Sequence, residues 1–199
     1  MSFAKGENPH HPQLGSKIKV EPIREKRAIG RIKKILADQP RNLCLFTLGI
    51  NTAYRASDLL TIKVGQVRGI KPGDVLEVKQ PKTARFRSVV INPVTATAIH
   101  GFLDSGHRPD DELLFIGKRG LLTVPSISRL VKTWCREVGL KGNYGSHTLR
   151  KTWGYWQRIE RGTSIPLLME AFGHATQQQT LSYLGIQADE IAQIYELEL

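Results

Sequence analysis

Apolar residues recur at three- and four-residue intervals along most of this chain, and a β-branched stretch between Asp74 and Ile91 interrupts that helical period. A chain patterned in this way folds as packed helices with a small antiparallel sheet, and the fold class expected is mainly α. Ile29, Ile32, Ile35 and Leu36 mark one face of a first helix, with Arg31, Lys33 and Lys34 off that face, and Pro40 is expected to end it. Residues 43–50 are apolar all round and predict a buried helix, broken at Asn51 and Thr52. Ser57 is expected to cap a short helix through Leu60. Residues 75–78 and 89–91 flank a basic tip and predict a hairpin. Asn92-Pro93 opens a helix with Val94, Ala98, Ile99 and Phe102 on one side, because proline suits a first helical position. Residues 106–123 read as loop around a short apolar segment, 113–116. A further helix follows Pro125 and stops at Gly139. Ser146 is expected to cap a helix through Arg161, Thr163 or Ser164 the next, which Gly173 breaks, and a last helix is predicted over 188–197.

Charge divides the chain differently. All 29 Lys and Arg lie at or before Arg161 together with 13 of the 18 acidic residues, so that body carries +16, and the other five acids leave residues 162–199 at −5. Such a basic field favours polyanions and is the electrostatic footprint of phosphate contact. The 199 residues suffice for one domain with short appendages. Residues 1–22 read as a flexible basic arm, 23–186 as the domain and 187–199 as an acidic amphipathic helix too short to stand alone. No stretch approaches the ~20 apolar residues of a membrane span, so a membrane partner is not expected and the chain is read as cytoplasmic and nucleoid-associated. Cys44 and Cys135 are too few for a metal cluster and are expected as buried reduced thiols, while Trp134, Trp153 and Trp156 are expected in the core.

The chemistry-bearing residues are few. His147-Thr148-Leu149-Arg150 sets an imidazole and a fixed cation three residues apart, on one side of a helix, where both reach one phosphate. Gly173-His174 precedes Tyr183 by nine residues. A phenol of pKa near ~10 is about one part in a thousand ionised at neutral pH, so as a nucleophile it needs cationic company. Arg55, Lys82, His147, Arg150 and His174 are the candidates.

These residues, with Ala53-Tyr54-Arg55-Ala56-Ser57-Asp58-Leu59-Leu60, stand in the order and approximate spacing of the tyrosine recombinases, or phage-type integrases, which the chain resembles from about Ile23 to Tyr195. The resemblance implies a DNA breaking-rejoining fold, mainly α with a small antiparallel sheet. It implies cleavage of double-stranded DNA without metal, ATP or other cofactor, through a 3′-phosphotyrosyl bond, then rejoining to a different 5′-hydroxyl. In that reading Arg55 and Arg150 clamp the non-bridging phosphate oxygens through planar forks, Asp58 orients Arg55, and Tyr183 attacks phosphorus. Of His147 and His174, one moves the phenolic proton and the other donates to a phosphate oxygen. Lys82 at the hairpin tip, or Lys79 if the turn is displaced, protonates the departing 5′-oxygen. Arg85, Arg87 and Lys151 are expected on the DNA backbone, where they position without reading sequence.

The chain departs from the family in two places. Most members carry a separate N-terminal DNA-binding domain that completes a clamp, whereas at most 22 residues precede the first helix here; either the arm substitutes weakly for the clamp, as in the short fimbrial inversion recombinases, which are similar in size, or the chain is a truncated member or an excised domain. Tyr54 stands where Leu or Met usually precedes the first arginine, an exchange expected to matter little. The resemblance further implies a homo-tetramer on DNA, from monomers or dimers in solution, with the tail docked on a neighbouring copy. Two rival functions remain open from the residues: relaxation of DNA in the manner of a type IB topoisomerase, and DNA binding by a non-cleaving regulator.

Overall fold

The computed structural model describes residues 20–80, 86–117 and 120–185, with positions 192, 195, 196 and 198. Within them lie helices α1 Lys26–Ile35, α2 Pro40–Asn51, α3 Ala56–Leu59, α4 Pro93–Leu103, α5 Val124–Glu137, α6 Ser146–Arg161, α7 Ile165–Phe172 and α8 Gln177–Leu184. Strands β1 Val75–Lys79 and β2 Phe86–Val90 form one antiparallel ribbon, and β3 Ile116–Gly117 with β4 Gly120–Leu121 a second. The architecture is mainly helical with small antiparallel sheets, as the period requires.

The core is built around α2, which is apolar on every side because α4 and α6 pack along it and α3 meets its end. Leu45, Phe46 and Leu48 have no exposed surface, and removing each from water contributes about 2 kcal/mol. Trp134 packs edge-on against Phe46 at 5.9 Å, and Cys44 and Cys135 are buried thiols. Trp153 and Trp156 are half-buried, and Trp156 donates its indole N–H to Ile23 O at 3.0 Å. A smaller second cluster of Ala53, Leu168, Phe172 and Leu184, with Trp153 and Tyr183 packed against it, fastens α7 and α8 to α6. Gly154 permits that approach, since a Cβ there would lie 2.3 Å from Phe172 Cζ.

Several boundaries differ from the sequence expectation. Pro40 does not end α1 but opens α2, where its missing N–H costs nothing. Ser57 lies inside α3, whose N-cap is Arg55; Asp58 Oδ2 accepts from the Arg55 backbone N–H at 2.9 Å. Ser146 is the first residue of α6 rather than its cap, and Thr148 Oγ1 accepts from Gly145 N at 3.0 Å. Between Thr163 and Ser164, Ser164 caps α7. The β3–β4 ribbon sits in the segment read as loop, its strands too short to show alternation. Helix α8 buries only Thr180 and Leu184, and its marks in the sequence are its ends, where Thr176 Oγ1 accepts from Gln179 N and Gly185 takes the left-handed conformation. Glu21, at the end of the expected arm, is tied down, donating its N–H to Asn143 O at 2.8 Å. Residues 1–19, the hairpin tip 81–85 and most of the helix expected over 188–197 lie outside the described residues.

Candidate active site

Four distant segments meet at Tyr183. Helix α8 presents its phenol, and His147, exposed on the first turn of α6, faces it with Nδ1 3.3 Å from Tyr183 Oη. Arg150, one turn further along α6, is only 2% exposed; its guanidinium carbon lies 6.0 Å from the Tyr183 ring centre and 4.9 Å from that of Phe172. Gly173 ends α7 in the left-handed conformation, φ +61°, and turns the chain so that His174 stacks on Phe172 and meets the Tyr183 ring at 5.1 Å. His174 Nδ1 is 3.0 Å from Thr180 Oγ1 of α8. Arg55 enters from the start of α3, half-buried, with Asp58 fixing its backbone. The structure therefore collects Arg55, His147, Arg150, His174 and Tyr183 in one place. Lys82 and Arg85 lie outside the described residues, and Lys79 is exposed at the end of β1.

The electrostatics refine the expectation about the nucleophile. Burial raises the Tyr183 phenol to about 12, and Arg150 and Arg55 recover only part of that rise. Desolvation outweighs the cations, so deprotonating this phenol at pH 7 costs about 7 kcal/mol. Attack thus requires a base in contact at the moment of reaction, and His147 is the group in contact. Burial, then Arg150, Arg55 and Arg87, lowers His174 to about 4, so at neutral pH its imidazole is uncharged. Burial also lowers Arg150, to about 10, yet it stays protonated. Its Nη2 donates to Phe172 O, while its buried Nε has no hydrogen-bond partner among the described residues. That N–H is a donor still to be satisfied in a basic pocket.

Two residues occupy positions that the sequence did not suggest. Tyr54 is 1% exposed and its hydroxyl donates to Leu76 O at 2.6 Å and Arg87 O at 3.2 Å, pinning both strands of the hairpin beside Arg55. The tyrosine at this position is a strut, against the expectation that it matters little. Arg87, expected on DNA, lies opposite Val78 on the inner side of the β1–β2 ribbon and reaches the end of α7. Strand parity carried that signal: Arg87, Val89 and Ile91 alternate with outward Phe86, Ser88 and Val90. Lys151 is buried with Nζ 4.9 Å from the Tyr183 ring centre.

This arrangement can be set beside known proteins. The model of the phage integrase family matches residues 25–190. The chain belongs to that family. Among its relatives, a probable integrase/recombinase of Bacillus subtilis, YoeC, is 30% identical over 181 residues, covering 89% of this chain and 96% of that protein. The tyrosine recombinase XerA of Pyrococcus horikoshii is 27% identical over 171 residues, which is 83% of this chain but only 58% of XerA. In structure the chain superposes on a crystal structure of XerA recombinase with a TM-score of 0.72 at 17% identity, over 95% of this chain and 68% of the other. It also superposes on XerH bound to a palindromic difH substrate in a post-cleavage complex, with a TM-score of 0.67 at 20% identity, over 91% and 54% of the two chains. No described helix is long and apolar enough to cross a membrane.

Proposed function

We propose that this integrase is a site-specific DNA recombinase that cleaves and rejoins double-stranded DNA through a phosphotyrosyl intermediate, and the observation that carries the reading is the Tyr183 phenol held 3.3 Å from His147 amid guanidinium groups. Tyr183 Oη attacks phosphorus as His147 accepts its proton, and the bond from phosphorus to the 5′-oxygen breaks. Lys82 protonates the departing oxygen, leaving a 3′-phosphotyrosyl ester and a free 5′-hydroxyl. A second 5′-hydroxyl then attacks that ester, the proton transfers run backwards, and the phenol is regenerated. The ester conserves the energy of the broken bond, so no fuel is consumed. Arg150 and Arg55 stabilise the charge that builds on the non-bridging oxygens; a donor of this kind is worth ~10²–10³ in rate. Neutral His174, its Nδ1 3.0 Å from Thr180 Oγ1, adds a further donor in the tautomer that accepts from that hydroxyl and carries its proton on Nε2.

The relatives named as recombinases, and the XerH complex with its difH substrate, support this reading. The test is a pool of nicked duplexes with a randomised core, incubated with the whole chain in EDTA. A denaturation-resistant protein–DNA adduct is expected, mapping to Tyr183 and absent from Tyr183→Phe; no adduct, or one that demands a divalent metal, refutes the mechanism. Relaxation of supercoiled plasmid without recombinant products would favour the topoisomerase-like rival. On DNA the working unit is a homo-tetramer joined by residues 187–199, and an intact tetramer after their deletion would rule that assembly out.

A further inference from the structure

The last turn of α7 poses a question the catalytic reading leaves open. A helix terminus leaves its final carbonyls without intrahelical partners and concentrates negative partial charge there. Here the carbonyls of Ala171 and Phe172, directly before Gly173-His174, are taken by two guanidinium groups from different elements. Arg87 Nη1 donates to Ala171 O and its Nη2 to Phe172 O at 3.1 Å, while Arg150 Nη2 donates to the same Phe172 O. Gly173 accommodates this closeness, since a Cβ there would lie 2.9 Å from Arg87 Nη2. At its other end the Arg87 backbone carbonyl receives the Tyr54 hydroxyl.

We propose that Arg87 is a positioning residue of the cleavage reaction and not a contact to the DNA backbone: its fork ties the strand leading out of the hairpin tip to the turn that carries His174, and with Arg150 it holds Phe172 O in place. The inference rests on the proposed recombinase chemistry. Its physical content is a chain of struts from Tyr54, next to Arg55, through Arg87 to the Phe172 carbonyl and Arg150. Phe172 in turn stacks on His174 and meets the Tyr183 ring at 5.1 Å. Losing the fork frees the turn and misplaces the histidine and the phenol, while leaving the surface that meets DNA intact.

The test compares Arg87→Gln and Arg87→Lys with the wild-type chain on the nicked pool. Arg87→Gln is expected to form adduct ~10- to 100-fold more slowly, with DNA affinity and its salt dependence unchanged. Arg87→Lys restores the charge but not the two-pronged grip, and stays slow. A phosphate contact instead predicts weaker binding with the salt slope reduced by about 1; that result, or a wild-type rate in Arg87→Gln, overturns the proposal. The NMR-followed titration of His174 in the DNA-free protein gives a readout independent of cleavage. The charged or titratable groups facing that ring are Arg55, Arg87, Arg150 and Tyr183. Freeing the turn relieves the burial that holds the imidazole down, so its titration is expected to move upward in Arg87→Gln and, by less because the charge is kept, in Arg87→Lys. Should the wild type form no adduct, the recombinase reading falls, and this titration still decides whether Arg87 acts on the histidine turn, an unmoved imidazole overturning it. If Arg87→Gln does not melt cooperatively, Arg87→Lys carries the rate and affinity comparison.

Discussion

Replacing Gly154 by alanine tests whether the close approach of α6 to α7 and α8 sets the geometry of the nucleophile. The added methyl would sit 2.3 Å from Phe172 Cζ and 2.9 Å from both Phe172 Cε2 and Leu184 Cδ2. Phe172 has little room to retreat, because Trp153 packs against it at 5.5 Å and His174 and Tyr183 each at 5.1 Å. Overpacking of this kind costs ~1–3 kcal/mol, against ~1 kcal/mol gained from alanine's better helix propensity. A 2.3 Å contact belongs at the upper end of that range, so the net destabilisation expected is ~1–2 kcal/mol, or a fall in melting temperature of ~2–8 °C for a chain of this size. Because the ring that must move touches both His174 and Tyr183, a displacement of ~1 Å should slow adduct formation ~10- to 100-fold well below the melting temperature. Thermal unfolding by circular dichroism and single-turnover cleavage of the nicked pool measure the two effects. An unchanged or raised melting temperature would refute the packing argument. A lowered one with wild-type cleavage would refute the link from packing to catalysis.

Other expectations are simpler. Gly30→Ala, where a Cβ meets nothing within 4 Å, should stabilise the chain by ~0.5–1 kcal/mol in urea unfolding, and any loss of stability contradicts the open site. Arg150→Lys should slow adduct formation ~10²- to 10³-fold with unchanged DNA affinity, since a compact ammonium lacks the spread planar fork that reaches Phe172 O and a phosphate oxygen in fixed directions; a rate within threefold of wild type would show that the planar fork is not needed. His174 is lowered to about 4 in the fold from about 6.5 in the unfolded chain, so between those values only the unfolded state takes up the proton. Its contribution to stability is complete above about pH 6.5 and is lost as the pH falls toward 4; denaturant midpoints for wild type and His174→Gln should diverge over that interval, and parallel curves would contradict the buried neutral imidazole.

The helical period, the proline that opens α4 and the pairing of His147 with Arg150 were legible in the residues themselves, because spacing along one element decides which side chains share a face, and the order of Arg55, His147, Arg150, His174 and Tyr183 could be read along the chain. Capping was less legible. Arg55 displaced Ser57, and Gly145 displaced Ser146, because carboxylate and hydroxyl groups three residues on reach back to those backbone N–H groups. Helix α8 was missed although Thr176 and Gly185 mark its ends, because it buries only Thr180 and Leu184, shows no apolar period, and owes its place to the second cluster.

Sequence by itself determined which groups are available: a mainly helical body of net positive charge, a late tyrosine, and cations far apart along the chain. Only the tertiary structure decided their states. Burial pushed the Tyr183 phenol up more than the nearby guanidinium groups could offset and, together with those groups, pushed the His174 imidazole down, which leaves His147 as the group in contact with the phenol, and strand parity turned Arg87 inward to the end of α7. Desolvation and distance are properties of packed space, and residue order alone does not contain them.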